Sequence, residues 1–512
     1  MTGEQNSPGG ISHGDRVLTM LVDPEPTTLV AVTNCADPTM LVSAKVSEGL
    51  LSYDFDLNPQ PQLATGWTIA DDGLGITFHL RQDVKWHDGL PFTSADVAFS
   101  IGLLKQVHPR GRSTFANVAE VATPDPFTAI VRLSSPAPFL LTALAGTETP
   151  MVPKHRYDGV SPQASPNGAA PVGTGPFVFR EWVRGSHAIY DRNPSYWDIP
   201  KPYVDRILVR FIEDADEALA AIEDGTIDLA PGTPVPVTKL GRLEASPKLV
   251  FETRGYEYTN QVVRLEFNLD HPILGRYEVR RGFAHAIDRQ ILVAKAWLGY
   301  AKVALGPISP DLKLFSAPDL AVPPVDLSEA NRWLDAAGFP RDANGFRFQL
   351  PLDYVPAGEG YQRTAEFIAQ ALAEIGVAVE VRAQDFSSYI KRIYTDRDFA
   401  FTVGRANNMF DPSVGVQRIY WSQNFRTGVP FSNGSHYASQ EADRLLEAAA
   451  VEGNPVKRQE LFREFQTLVV KDMPDLTLLA PAQITIANKR VHNHTVTADG
   501  PNGNLADLRL DP

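Results

Sequence analysis

The sequence is almost free of cysteine and contains no long apolar run. Cys35 is the only cysteine among 512 residues, which excludes an intramolecular disulfide and a metal site built from several cysteines. The longest apolar stretches, such as residues 139–145, are far shorter than the roughly 18–20 residues that a membrane-spanning helix needs. We therefore expect no membrane span.

Basic residues are also fewer than acidic residues. The chain has 47 Lys and Arg against 61 Asp and Glu, a net charge of −14, whereas a nonspecific nucleic-acid binder normally presents a basic face. Residues 1–14 are polar and contain no basic segment followed by an apolar one, so we expect no signal peptide in the sequence as written. At roughly 150 residues per domain, the length predicts two to four domains.

Motifs of catalysis and cofactor binding are absent as well. The sequence has no P-loop, no G-x-S-x-G and no H-E-x-x-H, and its eleven histidines form no cluster with ligand spacing. His87 and Asp88 could belong to a metal or acid–base site, but Asp-Gly after Trp86 is typical of a turn that follows a strand. We expect no catalytic residue, metal or cofactor.

Helix and strand patterns indicate an α/β protein. Residues 76–81 alternate as a half-buried strand, and Thr93 with Asp96 predicts a capped helix over 93–104. A helix over 364–375 is stopped by Gly376 and followed by a valine-rich strand. Asn454 caps a further helix with Pro455 at its first position, predicted to run to residue 472.

One long segment resembles a known family. Residues 63–100 combine a strand ending in F-x-L-R with W-H-D-G-x-P-F-T-x-x-D-V-x-F-S. This resembles the signature of the family 5 extracellular solute-binding proteins, the dipeptide, oligopeptide and nickel binders of ABC importers. Further blocks agree in order: E-G-L at 48–50, G-T-G-P-F at 173–177 and N-x-x-Y-W at 193–197.

The resemblance implies a two-lobed periplasmic-binding-protein fold of type II-like architecture, with an extra subdomain inserted in the first lobe. Two crossings, near 260–268 and 480–487, would form the hinge on which the lobes close. His87 and Asp88 would then be architectural. The implied segments are 15–52, 172–262 and 483–512 for the first lobe, 53–171 for the inserted subdomain, and 263–482 for the second lobe.

The same resemblance suggests where a solute would bind. Peptide-binding relatives carry a loop in the second lobe whose Asp pairs with the peptide ammonium; residues 404–412 match it, beginning at Gly404. Arg405 falls where a Trp often stands, and Asn408 falls at the position of that Asp. An Asn supplies no negative charge for a buried ammonium, whereas an Arg suits a carboxylate or phosphate. The alternative for Arg405 is an ion pair with Asp411.

Other residues are candidates for contacts with the solute, each with a plainer alternative. Phe386 would cover an apolar part of the solute or belong to the core. Trp421 and Tyr420 would stack on a ring or pack internally. Asn407 is a further polar candidate. In the first lobe, the loop with Asn34 and Cys35 would face the cleft, with Cys35 either a small contact or a buried structural thiol.

These observations predict the solute-binding subunit of an ABC importer. It would be a monomer that captures a small peptide-like, opine-like or sugar-conjugate solute with an anionic group and delivers it to the transmembrane permease subunits. It would act in the periplasm or otherwise outside the cytoplasm, as a mature chain without its leader. The alternatives are a generic di- or oligopeptide binder, a nickel binder, a sensor that reuses the fold, and a hydrolase.

Overall fold

The computed structural model describes residues 16–511. The segment 1–14, in which no signal peptide is expected, lies outside the described residues, as do Asp15 and Pro512 at the two ends of the predicted first lobe. The strands of the described part are β1 (Val17–Val22), β2 (Leu51–Tyr53), β3 (Pro59–Pro61), β4 (Ala64–Ile69), β5 (Gly75–Leu80), β6 (Val118–Asp125), β7 (Thr128–Leu133), β8 (Phe177–Val183), β9 (His187–Arg192), β10 (Arg206–Phe211), β11 (Leu229–Ala230), β12 (Leu249–Glu252), β13 (Gln261–Phe267), β14 (Ala301–Val303), β15 (Phe348–Tyr354), β16 (Val377–Arg382), β17 (Phe401–Asn407), β18 (Asp475–Pro481), β19 (Thr485–Asn488), β20 (Val491–His492) and β21 (Arg509–Leu510).

The helices alternate with these strands, and several begin or end as the local sequence predicts. The helix that begins at Pro455 is capped by Asn454, whose side chain accepts the first free backbone N–H groups, and it ends at Asp472, which confirms that prediction. The helices are α1 (Asp37–Val46), α2 (Ser94–Val107), α3 (Gly111–Thr114), α4 (Ala215–Asp224), α5 (Val237–Glu244), α6 (Tyr277–Ala286), α7 (Arg289–Ala296), α8 (Leu327–Ala336), α9 (Glu359–Ala373), α10 (Phe386–Ile390), α11 (Pro412–Gly415), α12 (Gln417–Tyr420), α13 (Gln440–Val451) and α14 (Pro455–Asp472).

Two large mixed sheets form the centres of two lobes. The first lobe has a seven-stranded sheet in the order β12-β19-β11-β1-β10-β9-β8, and the second lobe has a six-stranded sheet in the order β14-β18-β13-β17-β15-β16. In the first sheet β1 runs parallel to β10 and β11. In the second, β17 is antiparallel to β13 and parallel to β15. The α/β, two-lobed architecture expected from the sequence is therefore confirmed.

The chain passes between the two sheets twice. It leaves the first sheet after β12 and enters the second at β13, and it returns between β18 and β19. A separate four-stranded antiparallel sheet, β4-β5-β7-β6, comes from one continuous stretch between β1 and β8 and packs against α2. The domain limits at 52/53, 171/172, 262/263 and 482/483 remain predictions.

A buried carboxylate connects the separate segments of the first lobe. Glu48 is 1% exposed and follows α1. Its oxygens accept hydrogen bonds at 2.7–3.3 Å from Gln62, Thr174, Tyr196, Trp197 and Asn504. Burial raises the pKa of Glu48, and the hydrogen bonds from Trp197, Tyr196 and Thr174 oppose that rise. The motifs E-G-L, G-T-G-P-F and N-x-x-Y-W thus meet at one point.

His87 holds the turn after Trp86 to the same G-T-G block. Its Nε2 lies 2.9 Å from the carbonyl oxygen of Gly175, and the Gly173 N–H points at its Nδ1 at 3.4 Å. A neutral ring that carries its proton on Nε2 satisfies both contacts. A second proton on Nδ1 would face the Gly173 N–H, and burial lowers the pKa of His87 to about 4. His87 is therefore a structural residue, as the turn interpretation predicted.

Replacing Glu48 should destabilise the first lobe strongly. Glu48→Ala leaves the Tyr196 hydroxyl and the Trp197 Nε1–H buried without their acceptor, so we expect the free energy of unfolding to fall by about 3 kcal/mol. Urea titration followed by circular dichroism measures this change. The control is Glu120→Ala on β6, whose carboxylate is exposed and pairs only with the exposed Arg132. Equal stability of the two variants would contradict the role assigned to Glu48.

The stability of the protein should fall in mild acid because of His87. Its pKa is about 4 in the folded protein against an ordinary 6.5, so the unfolded chain binds more protons between these values. The stabilising contribution is complete above pH 6.5 and is lost as the pH falls toward 4, at most about 3 kcal/mol. His87→Gln should reduce the fall of the melting temperature over this range without abolishing it, because burial also lowers the pKa of His108 to about 4. The control is His79→Gln, at an exposed position of β5, which should reduce that fall less.

Candidate functional site

The C-terminal end of β17 lies where the two lobes meet. The backbone N–H groups of Asn408 and Met409 donate to the carbonyl oxygens of Asn260 and Thr259 at 2.8 and 2.9 Å. The next ring, Phe410, stacks on Tyr258 with centroids 4.7 Å apart. Residues 404–411 therefore run along the junction between the lobes, in the place where the sequence predicted a solute-binding loop.

Arg405 projects from β17 in a partly buried position. Among residues 16–511 no carboxylate forms an ion pair with it. The alternative pairing with Asp411 is contradicted, because Asp411 accepts two hydrogen bonds at 2.7 Å from Arg458. Burial lowers the pKa of Arg405, but Tyr361 of α9 and Asp37 of α1 raise it more, so the guanidinium stays charged. Asp37, a carboxylate of the first lobe, therefore lies within electrostatic range of this cation of the second lobe.

A chain of polar side chains runs beside Arg405. The Tyr361 hydroxyl donates to Oε1 of Gln261 at 2.8 Å, and Nε2 of Gln261 donates to Oδ1 of Asn407 at 3.0 Å. Asn407 closes β17 and is only partly buried. Gly404, in contrast, is buried in the strand, and a side-chain carbon there would lie 3.6 Å from the Tyr389 hydroxyl. Of the residues in this loop, Arg405 and Asn407 are the ones with accessible polar groups.

The side-chain amide of Asn408 is hydrogen bonded inside the second lobe. Its side chain is 1% exposed. Its Oδ1 accepts the Ser309 N–H at 2.5 Å, and its Nδ2 donates to the Pro307 carbonyl oxygen at 3.1 Å. An amide whose oxygen and nitrogen are both taken has little left for a solute, so the expectation that Asn408 contacts the solute is corrected. These two hydrogen bonds connect the segment 307–309 to the end of β17.

The aromatic candidates differ in exposure: Phe386 is exposed, Trp421 is partly buried and Tyr420 is buried. Phe386, at the start of α10, is 47% exposed, so it is not a core residue, and its ring lies 6.3 Å from that of Phe431. Trp421 donates its Nε1–H to Glu447 at 2.8 Å and packs against the second-lobe core. Tyr420 is buried and donates to Asp475. The packing alternative therefore fits Trp421 and Tyr420, while Phe386 keeps a free face.

The first-lobe loop brings Cys35 to the junction. Asn34 braces its own loop: its Nδ2 donates to Thr27 at 2.9 Å, and its Oδ1 accepts the Ala36 N–H at 2.8 Å. Cys35 is a free thiol of intermediate exposure. Burial raises its pKa, the Arg110 charge opposes that rise, and Arg418 of the second lobe acts in the same direction as Arg110. The thiol therefore lies within electrostatic range of both lobes.

Sequence reasoning missed three residues of this junction. Asp37 opens α1 directly after the loop that was predicted to face the cleft, so its acidic side chain was a usable signal. Arg418 lies in α12, between the Asp-Pro loop and Trp421. Tyr361 lies on α9, more than forty residues before Arg405, and no local pattern linked the two.

From residue 16 to residue 511, no helix combines the length and apolar character that crossing a membrane requires. Over the same range, no three His, Cys, Asp or Glu side chains converge as the ligands of a metal ion.

Two α/β lobes joined by two crossings, with polar groups facing each other between them, define a two-lobed binding protein. Residues 58–428 match the family described as bacterial extracellular solute-binding proteins, family 5 Middle. The chain belongs to this family, whose members capture a solute outside the cytoplasm and deliver it to an ABC permease.

Relatives and solved structures agree with this assignment. The glutathione-binding protein GsiB of Salmonella typhimurium is 27% identical over 497 residues, covering 91% of this chain and 90% of that protein. NikZ from Campylobacter jejuni in complex with Ni(L-His) superposes with a TM-score of 0.84 at 23% identity, covering 97% and 99% of the two chains. AgaA from A. tumefaciens R10 in complex with agropinic acid gives 0.79 at 24%, with the same coverage.

Adjacent asparagines allow a direct test of the site geometry. Asn408→Ala leaves the Ser309 N–H and the Pro307 carbonyl oxygen without their hydrogen-bond partner. We therefore expect it to lower the free energy of unfolding by about 2 kcal/mol. Asn407→Ala removes one half-buried contact with Gln261 and should cost less than about 1 kcal/mol. Urea unfolding of both variants measures the difference. A larger loss for Asn407→Ala would contradict the placement of the two side chains.

Proposed function

We propose that this protein binds a small peptide-like, opine-like or sugar-conjugate solute with an acidic group, and that Arg405 holds that group. The observation that carries the proposal is the guanidinium of Arg405 at the junction of the lobes without an ion-pair partner among residues 16–511. Leaving a partly dehydrated charge unpaired is costly. A planar carboxylate matches the donor fork of an arginine and would offset that cost.

The polar neighbours of Arg405 extend the proposed site. Tyr361, Gln261 and Asn407 are joined by hydrogen bonds of 2.8 and 3.0 Å, which orients the Asn407 amide beside the guanidinium. Phe386, with its exposed ring, would cover an apolar part of the solute. Cys35 would contribute a small neutral contact from the first lobe. Asn408, Trp421, Asn34 and Gly404 are not included among the proposed side-chain contacts.

The relatives support an acidic solute. GsiB is named for glutathione and AgaA was solved with agropinic acid, and both of these molecules carry carboxylates. Binding of generic di- or oligopeptides is the second candidate, and it is favoured by a relative described as a putative ABC transporter peptide-binding protein that is 28% identical over 470 residues.

We also propose that the protein binds its solute without transforming it. A hydrolase in this cleft would need an activated nucleophile and a base. The thiol nearest the junction, Cys35, has a raised pKa because of burial, which disfavours the reactive thiolate. Turnover of any bound solute would contradict this part of the proposal.

Arg405→Gln should weaken binding of acidic solutes. Thermal-shift screening with glutathione, agropinic acid and trialanine identifies the best solute, and calorimetry measures its affinity. Loss of a charged hydrogen-bond donor predicts binding weaker by roughly 10- to 100-fold. The control is Arg444→Gln on α13, which pairs only with Glu441 at the surface. Unchanged affinity in Arg405→Gln would contradict the role of Arg405. A larger shift with trialanine than with either acid would favour the generic peptide binder.

A further inference from the structure

A second arginine of the second lobe shares the features of Arg405. Arg418 lies on the short helix α12 and is partly buried. One Nη2 hydrogen bond, 3.3 Å long, joins it to the Pro430 carbonyl oxygen. Across residues 16–511 no carboxylate forms an ion pair with it. Its position is thus held by a neutral carbonyl, and most of its five donors remain for another acceptor.

The first-lobe groups that face Arg418 do not neutralise it. Cys35, Arg110 and Glu148 lie within electrostatic range. Arg110 and Glu148 are 8% and 1% exposed, and Nε of Arg110 contacts both Glu148 oxygens at 3.0 Å. The carboxylate of Glu148 is therefore paired with Arg110 and is not available to Arg418. Burial lowers the pKa of Arg418, and the Arg110 charge lowers it further, as expected for a cation that lacks a counter-ion.

Arg405 and Arg418 lie on different elements of one lobe. Arg405 projects from β17 and Arg418 from α12, and the Asp411-Pro412 turn and α11 separate them along the chain. Asp37 of the first lobe is in electrostatic range of Arg405 and of Cys35, and Cys35 is itself in range of Arg418. The second lobe therefore carries two arginines without an ion-pair partner among residues 16–511, and the first-lobe carboxylate of Asp37 lies within electrostatic range of Arg405.

We propose that Arg418 forms a second anion subsite, so that the solute carries two acidic groups, one directed to Arg405 and the other to Arg418. In this proposal Asp37, exposed at the start of α1, would accept a hydrogen bond from an amine of the same solute. The solute class is therefore an amino diacid, such as a conjugate of an amino acid with a second acid. This inference rests on the proposed function and narrows it, because a solute with a single carboxylate satisfies Arg405 but leaves Arg418 unpaired.

The test compares diacids with their half-blocked forms. The probes are glutathione and its glycyl monoethyl ester, and the dipeptides Ala-Glu and Ala-Gln; agropinic acid, which has one carboxyl group and no basic amine, is the single-acid comparison. For the native protein, we expect the best diacid to bind at least 10-fold more tightly than its half-blocked partner. Arg418→Gln should weaken the diacid by roughly 10- to 100-fold and abolish the preference over one half-blocked form. Arg418→Lys, which keeps a point charge without the planar fork, should recover part of that loss.

The outcomes separate this inference from the proposed function. If Arg405→Gln weakens binding and Arg418→Gln does not, the Arg405 site stands and the second subsite is rejected. If the native protein binds a half-blocked form as tightly as the diacid, or if no diacid of the set raises the melting temperature, the diacid inference is overturned. Circular dichroism and the melting temperature without solute confirm that each variant is folded, and Arg444→Gln serves again as the charge-matched control.

Discussion

The carboxylate of Glu48 is the contact on which the first lobe depends most. It receives five side-chain hydrogen bonds from segments that are far apart in the chain. One donor comes from the start of the inserted subdomain, three from the stretch that contains β8 and β9, and one from the C-terminal segment. A single buried acid therefore joins every piece of a discontinuous lobe. This explains why short motifs separated by more than a hundred residues occur together in the sequence.

The second lobe uses its buried charges in a comparable way, and this shapes the site. Arg264, 1% exposed, bridges Glu266 and Asp475, and Asp411 is bound by Arg458. Charges inside a protein persist only when they are paired and hydrogen bonded, and these pairs meet that condition within the lobe. Because Glu266, Asp475 and Asp411 are paired with other arginines, none of them forms an ion pair with Arg405 at the junction.

The sequence predicted the parts of the structure that local rules or long motifs control. The Asn454 cap and the Thr93 helix start follow from backbone groups within a few residues, and both are present. Asn408 failed as a site residue because its partners, Pro307 and Ser309, are about a hundred residues away and no pattern joins them. Arg418 was missed for the related reason that its significance depends on the absence of a nearby acid, a property of packing and not of spacing.

The net charge of −14 is compatible with the proposed binding of acids at the junction for a physical reason. At physiological ionic strength, exposed charges are screened beyond about 8 Å, whereas buried or partly buried charges are screened much less. Acids scattered over the surface of a large two-lobed molecule therefore contribute little to the potential between the lobes. In the proposed site that potential would come from Arg405, Arg418 and Asp37, because Arg110 and Glu148 are paired with each other. Because two of these groups belong to one lobe and Asp37 to the other, the charges act together only when the lobes are close. The preference for a solute with two acids and an amine would then be expressed on closure, and it would not depend on the overall charge of the protein.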